Sequence, residues 1–235
     1  MPSRHVAFLD EVPPPLREGL RQLRDGLSVP EDFPPEVVEA AEAAVADVRL
    51  PEQDLTDVEF ITIDPEGSMD LDQALHLSRT DGGYLVRYAI ADVAAFVEPG
   101  GAIDDECHER VETLYAPNRR TPLHPEVLSE AAASLLPDQT RPALVWQIHL
   151  DADGAPTDAS VARTRVRSRR RYSYEQVQAA VDAGTGGELL DLLKVVGQLR
   201  EQAEIARGGV SLGVPEQEVR VADGTWTLEY RTNLP

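Results

Sequence analysis

The chain has 235 residues, 42% hydrophobic and 27% charged, which is the composition of a globular protein with a sizeable core. Its 42 acidic and 22 basic residues give a net charge of −20, which excludes a protein that coats nucleic acid or an anionic membrane with its whole surface. The single cysteine, Cys107, excludes an internal disulfide, and no apolar run is long enough to span a bilayer. We therefore expect a cytoplasmic protein without membrane contact.

The N-terminal part is predicted to be an acidic segment of two helices. Its leucines recur at helical spacing, and residues 32–36 combine the polar, proline and acidic residues that favour a helix start. Residues 58–64 instead alternate between apolar and polar, which predicts a strand. We therefore expect a helical segment over residues 1–52, followed by a second domain over residues 53–235.

The second domain is predicted to begin with two β-hairpins. Residues 73–78 and 84–90 flank one turn, and residues 143–150 and 159–167 flank another at residues 151–154. The prolines between the hairpins predict that residues 115–125 form a loop.

Helices and one more hairpin are predicted after these strands. Ser173 is placed to cap a helix, residues 187–207 carry leucines at helical spacing, and a last hairpin is expected about Asp223–Gly224. Hairpins followed by helices predict an α+β fold, with a mixed or antiparallel sheet and packed helices, and not a βαβ alternation.

Three aspartates form the most informative cluster of the sequence. Asp64, Asp70 and Asp72 lie within nine positions, and Pro65 and Gly67 favour a turn between them. Clustered carboxylates repel each other unless a cation is bound, and Mg²⁺ or Mn²⁺ selects all-oxygen ligands. The residue types alone leave open a solvated acidic turn or, less well supported, a structural Ca²⁺ loop.

Several ordered motifs between about residues 58 and 178 resemble the RNase II/RNase R (RNB-domain) exoribonucleases. The matching segments are Phe60–Asp64 with Asp70–Leu75, Tyr88–Val97, Thr113–Pro117, Pro122–Ser129 and Ser134–Pro137. The resemblance implies processive 3′→5′ hydrolysis of single-stranded RNA to 5′-nucleoside monophosphates with a divalent metal, Mg²⁺ or Mn²⁺. It also implies an RNB-like catalytic domain, of which this chain is the N-terminal portion.

The resemblance assigns roles to individual residues. Asp64, Asp70 and Asp72 are implied metal ligands, with Asp70 and above all Asp72 at the centre of catalysis. Tyr115 matches the aromatic residue that stacks on the RNA 3′ end. Gln73 stands where the family usually has a second aspartate, and we expect it to be a ligand whose amide oxygen attracts a cation less strongly than a carboxylate.

A run of six arginines between residues 163 and 171 is the one basic concentration. Alternation along a strand would place Arg163, Arg165 and Arg167 on one face, where they could contact RNA phosphates. The same residues could equally neutralise the surrounding acids. Asp92, within an apolar stretch, is expected to be a buried structural aspartate, with a supporting role near the metal as the alternative.

Three functions remain open from the sequence, and the least supported of them is a metal-binding structural module. The first is a metal-dependent exoribonuclease, of which this chain is a truncated form with little or no activity by itself. The alternative is a catalytically impaired RNA-binding or regulatory remnant of that family, which the glutamine at position 73 favours.

Overall fold

The structure is a computed structural model that describes residues 14–116, 118–210, 216–222 and 225–231. The helices are α1 (Pro14–Gly26), α2 (Pro35–Ala46), α3 (Ala102–Arg110), α4 (Tyr174–Asp182) and α5 (Gly187–Ala206), with a 3₁₀ turn (Val93–Ala95) and a π-helical segment (Val127–Ala132). The strands are β1 (Phe60–Ile63), β2 (Gln73–Thr80), β3 (Gly83–Ala91), β4 (Leu114–Ala116), β5 (Arg119–Thr121), β6 (Thr140–Asp151), β7 (Pro156–Tyr172), β8 (Glu216–Ala222) and β9 (Thr225–Arg231). None of the helices described is both long and apolar enough to cross a membrane.

Five strands close a barrel in the order β1-β2-β3-β6-β7. Neighbouring strands are antiparallel except β1 and β7, which run parallel and complete the barrel. Ala74, Ala89 and Val145 are paired across β2, β3 and β6 and face the core. A five-stranded barrel has a narrow interior, and small residues at this level leave room for larger ones such as Phe60. The predicted α+β class is confirmed.

The predicted hairpins and helices are found close to their expected positions. β2–β3 and β6–β7 are the two hairpins, and β8–β9 is the last one, although its predicted turn at Asp223–Gly224 lies outside the described residues. Ser173 caps α4 as predicted: its Oγ accepts from the Gln176 N–H (3.1 Å), and the Gln176 side chain accepts from the Ser173 N–H (3.0 Å).

The prediction that residues 115–125 are entirely loop was wrong. β4 and β5 pair as a short antiparallel ribbon over residues 114–116 and 119–121. The prolines of this stretch stand outside the paired residues, so none of them has to supply a ladder hydrogen bond.

Helix α5 covers part of the outer surface of the barrel. Leu192 and Val196 pack on Leu77, Tyr84 and Leu150 in a second hydrophobic cluster. Burial of apolar surface thus holds the helix against β2, β3 and β6. The regular spacing of its apolar residues forms the helix face that packs on these strands.

The described residues divide into two compact units. One unit, within residues 44–96 and 127–211, contains the barrel, α4 and α5. The other, within residues 1–43, 97–126 and 212–235, contains α1, most of α2, α3 and the two ribbons β4–β5 and β8–β9. The boundary at residue 52 stays a prediction.

A buried arginine anchors the second of these units. The Arg110 side chain is only 2% exposed and pairs with Glu106 (Nε to Oε1, 2.7 Å) at the end of α3. Its guanidinium also donates to the Asp32 carbonyl oxygen (2.7 Å) and lies 3.7 Å from the centre of the Phe33 ring. Arg110 therefore ties α3 to the chain segment that precedes α2.

Candidate active site

Two of the predicted aspartates lie at the same rim of the barrel. Asp64 follows β1, and its N–H donates to the Tyr172 carbonyl oxygen (3.0 Å) at the end of β7. Asp72 precedes β2, and its carbonyl oxygen accepts from the Ala91 N–H (2.8 Å) at the end of β3. Because β1 and β2 are antiparallel neighbours, the end of one and the start of the other meet at one rim.

Asp70, the third aspartate, is held at this rim because Ser134 makes hydrogen bonds with the backbone of the residues before and after it. The Ser134 hydroxyl accepts from the Leu71 N–H (2.9 Å) and donates to the Met69 carbonyl oxygen (2.6 Å). Leu71 itself is fully buried in the barrel core. Asp70 and Asp72 flank this anchored leucine, so their backbone positions are well defined.

The three carboxylates act on each other electrostatically. Loss of hydration raises the pKa of Asp64 to about 6, with further contributions from the negative charges of Asp72 and Asp70, while Arg171 acts in the opposite direction. Asp72 is exposed at the surface, yet the protein around its carboxyl group displaces enough water to raise its pKa as well. The rim therefore concentrates negative charge where water screens it poorly.

The donor chemistry of this rim fits a hard divalent cation. Carboxylate oxygens are the ligands of Mg²⁺ and Mn²⁺, and a dication would offset both the loss of hydration and the repulsion from Asp72 and Asp70 that raise the pKa of Asp64. Within the part of the chain that the structure describes, no three His, Cys, Asp or Glu side chains form a ready-made cage. Mg²⁺ usually needs only one or two protein carboxylates and keeps several waters. Asp64, Asp70 and Asp72 are the residues that could hold it.

We expect Asp64→Asn to stabilise the metal-free protein. The substitution keeps the side-chain size and removes a charge that folding brings into a poorly hydrated place beside two other carboxylates. After allowance for solvent on its open side, the gain should be about 1–2 kcal/mol in the free energy of unfolding. Calorimetry with EDTA measures it, and Glu66→Gln, an exposed acid of the same loop, is the control. An equal gain from both variants would show that net charge, and not the cluster, is responsible.

Gln73 has a hydrogen-bond partner on the neighbouring strand. Its amide oxygen Oε1 accepts from the Tyr88 hydroxyl. The pKa of Tyr88 is raised by burial and then by the charges of Asp72 and Asp64.

Two residues beside the carboxylates were not nominated from the sequence. Tyr88 could have been nominated from the predicted β2–β3 hairpin, because its register pairs Tyr88 with Leu75, two residues from Gln73. Arg171 donates to the Ser68 carbonyl oxygen, and its positive charge counteracts the raised pKa of Asp64. Arg171 pairs with Thr62 of β1, and this parallel pairing was not predictable from the local pattern.

Two arginines of β7 have carboxylate partners. Arg163 pairs with Asp92 (Nε to Oδ2, 3.2 Å), and Arg165 donates to Asp54 (Nη2 to Oδ2, 2.8 Å). Arg167 is half-buried and lies opposite Thr140 of β6. In this structure Arg163 and Arg165 thus neutralise neighbouring acids, and the contact of Arg163, Arg165 and Arg167 with RNA phosphates stays a prediction.

We expect Arg163→Gln to destabilise the protein. Asp92 is 2% exposed, and neither of its carboxylate oxygens accepts a hydrogen bond within the described residues. Removing Arg163 leaves this buried charge without its partner, which should cost about 2–3 kcal/mol because the arginine is itself partly exposed. Urea unfolding measures the loss. Arg165→Gln, whose partner Asp54 is exposed, should give no resolvable change, and equal losses would contradict the role of burial.

Tyr115, the predicted stacking residue, lies in β4 and is 43% exposed. It is opposite Arg120 in the β4–β5 ribbon. It belongs to a different compact unit from the carboxylates, and its contact with an RNA end stays a prediction.

The RNB domain family model matches residues 52–232. Among curated relatives, ribonuclease R of Mycoplasma pneumoniae is 30% identical over 188 residues, covering 76% of this chain and 26% of that protein. Ribonuclease R of Acidithiobacillus ferrooxidans is 32% identical over 190 residues, covering 78% of this chain and 43% of the relative. The chain thus spans less than half the length of either relative.

Comparison of the fold with solved structures also identifies a ribonuclease R. The structure of Mycoplasma genitalium ribonuclease R in complex with double-stranded RNA superposes with a TM-score of 0.80 at 25% identity, over 91% of this chain and 40% of that one. The resemblance of the motifs is thereby confirmed, and the chain belongs to the RNB-domain family of exoribonucleases.

Proposed function

We propose that this chain carries the carboxylate part of the active site of a cytoplasmic exoribonuclease. The enzyme would hydrolyse single-stranded RNA from the 3′ end and release 5′-nucleoside monophosphates, with Mg²⁺ or Mn²⁺ as cofactor. The observation that supports this most is the position of Asp64, Asp70 and Asp72 at one rim of the barrel, where burial and the negative charges of Asp72 and Asp70 together raise the pKa of Asp64.

The three carboxylates share one role in this proposal, which is to hold the cation. Asp70 and Asp72 would lie nearest to the reacting phosphate, and Asp64 would complete the site. A bound dication would lower the pKa of a water molecule and offset the charge that develops on the phosphate oxygens. The hydrogen bonds of the Ser134 hydroxyl with the backbone of Met69 and Leu71 would keep the neighbouring Asp70 and Asp72 in place between successive rounds of hydrolysis.

Substrate contacts would be largely independent of base identity. Tyr115 would stack on a base near the 3′ end, because every base offers an aromatic face, and arginines of β7 would contact phosphates. A stacking contact requires an unpaired base, which is why single-stranded RNA is the expected substrate.

A second function is favoured by Gln73. An amide replaces a carboxylate in the cluster, and its oxygen already accepts the Tyr88 hydroxyl. If this loss of charge weakens metal binding too far, the chain would bind RNA without cleaving it.

The two functions can be separated in the frame of a longer relative. A chimera of Mycoplasma genitalium ribonuclease R, with its matched segment replaced by residues 52–232 of this chain, is incubated with 5′-labelled oligo(A) and Mg²⁺ or Mn²⁺. We expect release of 5′-AMP and a ladder that shortens from the 3′ end, both lost with EDTA.

The unmodified relative is the positive control for the assay, and a melting curve shows whether the chimera folds. A folded chimera that binds oligo(A) but releases no AMP would select the RNA-binding alternative. A folded chimera that binds neither RNA nor Mn²⁺ would contradict both functions.

A further inference from the structure

A cavity of about 410 Å³ opens beside the end of β7, where the chain continues into α4. Its walls come from β7, from α4 and from the loop that leads to α5, all within one compact unit. The volume lies in the range of pockets that bind small molecules. We call this space the β7–α4 cavity.

Two side chains of β7 form one wall of the β7–α4 cavity as a stacked pair. The central carbon of the Arg170 guanidinium lies 4.2 Å from the centre of the Tyr172 ring. Arg163 and Arg165 of the same strand pair with carboxylates, whereas no Asp or Glu within the described residues pairs with Arg170. The ring therefore positions a guanidinium whose N–H donors are not taken by an acid.

Helix α4 forms the opposite wall of the cavity. Gln176, Ala179 and Ala180 line the space, and their i, i+3, i+4 spacing places them on one face of the helix. The Gln176 oxygen Oε1 accepts from the Ser173 N–H (3.0 Å) in the helix cap, so its NH₂ group is left to donate to a ligand. This wall thus offers a small apolar surface with one amide donor beside it.

The loop between α4 and α5 is held in place at the edge of the cavity. The Thr185 N–H donates to the Ala180 carbonyl oxygen (2.9 Å) at the end of α4. A Cβ at Gly186 would lie 2.7 Å from the Cβ of Leu190, which is buried in α5, so this close approach requires glycine. The cavity is therefore formed before any ligand binds.

The charge of the lining favours an anion. Arg170 is a cation, and none of the described residues that line the cavity is acidic, although acids outnumber bases 42 to 22 in the chain. A guanidinium matches the geometry of a phosphate group, to which it can donate two parallel hydrogen bonds. The alanine surface and the amide donor opposite suit a flat, apolar group whose edge accepts hydrogen bonds. A nucleotide combines these two parts.

We propose that the β7–α4 cavity binds a nucleoside monophosphate unit. Arg170 holds the phosphate, and the base lies against Ala179 and Ala180 with its edge toward the Gln176 NH₂ group. The choice of a nucleotide rests on the proposed function, because RNA and its released 5′-monophosphate both contain this unit. The cavity also adjoins the carboxylate rim, since the Tyr172 carbonyl oxygen accepts from the Asp64 N–H (3.0 Å).

Isothermal titration of this chain with 5′-AMP tests the site, with EDTA present so that no metal ion can bind the nucleotide at the rim. Arg170→Gln should weaken binding about tenfold, because it removes a charge-assisted contact to the phosphate. Ala179→Leu, at an exposed position of α4, should also weaken binding because the larger side chain fills the cavity. Melting curves establish that each variant is folded.

The matched control is Arg79→Gln, which removes the same charge from another arginine that lies over a tyrosine ring, 5.9 Å from the centre of Tyr84. It should bind 5′-AMP as the unmodified chain does. An equal loss for Arg79→Gln and Arg170→Gln would show that net charge is responsible and would overturn the site.

Inorganic phosphate tests the part of the proposal that concerns the base. In nuclear magnetic resonance spectra, 5′-AMP should shift the side-chain NH₂ resonances of Gln176, and inorganic phosphate should not. Phosphate should also compete only weakly with 5′-AMP in the titration. If phosphate binds as tightly as 5′-AMP, the cavity holds an anion only and its assignment to a nucleotide is wrong.

A free mononucleotide and a nucleotide within an RNA strand share this chemistry, and oligo(A) distinguishes them. If Arg170→Gln weakens binding of 5′-AMP alone, the ligand is the free nucleotide. If it weakens binding of oligo(A), with or without an effect on 5′-AMP, the ligand is a nucleotide of the strand. Unchanged binding of both by Arg170→Gln overturns the proposal.

These measurements can fail independently of the proposed function. Binding of 5′-AMP that depends on Arg170 would support the cavity even if the chimera described above released no AMP from RNA. A chimera that hydrolyses oligo(A), together with no effect of Arg170→Gln on either ligand, would overturn the cavity and leave the proposed function intact.

Discussion

Replacing Asp72 by asparagine is expected to lower the rate of RNA hydrolysis about a hundredfold to a thousandfold, a loss comparable to removing one group that stabilises charge in a transition state. The change keeps the shape of the side chain and removes a charge that, in the proposed site, would hold a cation at the reacting phosphate. RNA affinity should stay within about twofold, because the proposed phosphate and stacking contacts are made by other residues. Release of 5′-AMP and binding of oligo(A), both measured in the chimera, test the two parts of this expectation.

The control for Asp72→Asn is Glu66→Gln, which removes the same charge from an exposed position of the same loop. It should leave the rate unchanged. If Asp72→Asn lowers RNA affinity and rate in equal measure, Asp72 contributes to binding or folding and its proposed role in catalysis is wrong. If both variants lower the rate equally, the effect belongs to the overall charge of the loop.

Replacing Arg110 by alanine is expected to destabilise the protein by about 3–5 kcal/mol, which is the usual cost of breaking a buried ion pair. Glu106, whose side chain is 11% exposed, would keep a buried charge without its partner. The Asp32 carbonyl oxygen would lose its donor, and the Phe33 ring would lose the guanidinium stacked 3.7 Å from its centre. Urea unfolding followed by circular dichroism measures the change.

Two further variants show whether burial is the cause of this loss. Arg21→Ala breaks an arginine–acid pair that is exposed on α1, and it should leave the urea midpoint unchanged. The double variant Arg110→Met with Glu106→Gln removes both buried charges and should recover much of the stability that Arg110→Ala loses. A loss for Arg110→Ala no larger than that for Arg21→Ala would show that the pair is not desolvated in solution.

Local patterns were sufficient for most secondary structure and for the approach of the carboxylates. Alternating apolar residues predicted the β2–β3 and β6–β7 hairpins. The polar cap at Ser173 predicted α4, and leucine spacing predicted α5. Asp64 and Asp72 are separated by only eight positions, and the Pro and Gly between them favour a turn that brings the two aspartates near each other. Ordered motifs of this length also indicated the family.

Contacts between distant residues could not be predicted in this way. The parallel pairing of β1 with β7 joins Thr62 to Arg171, and it closes the barrel and brings a positive charge beside Asp64. Arg163 and Arg165 were equally compatible with RNA contact and with neutralising acids, and only the folded chain shows Asp92 and Asp54 beside them. The alternation of a strand specifies which face a side chain occupies, and not what lies opposite that face.

The sequence by itself therefore determined most of the elements, the fold class and the family, because each depends on interactions within a few neighbouring residues or on the order of motifs. The tertiary structure decided the β4–β5 ribbon, the closed barrel, the ion pairs of β7 and the hydrogen bond between Tyr88 and Gln73. These depend on which strands pair and in which register, and that choice is made by burying apolar surface over the whole barrel. Gln73 shows the difference clearly, since its amide is a possible ligand in the sequence, and in the fold its oxygen accepts a hydrogen bond from Tyr88.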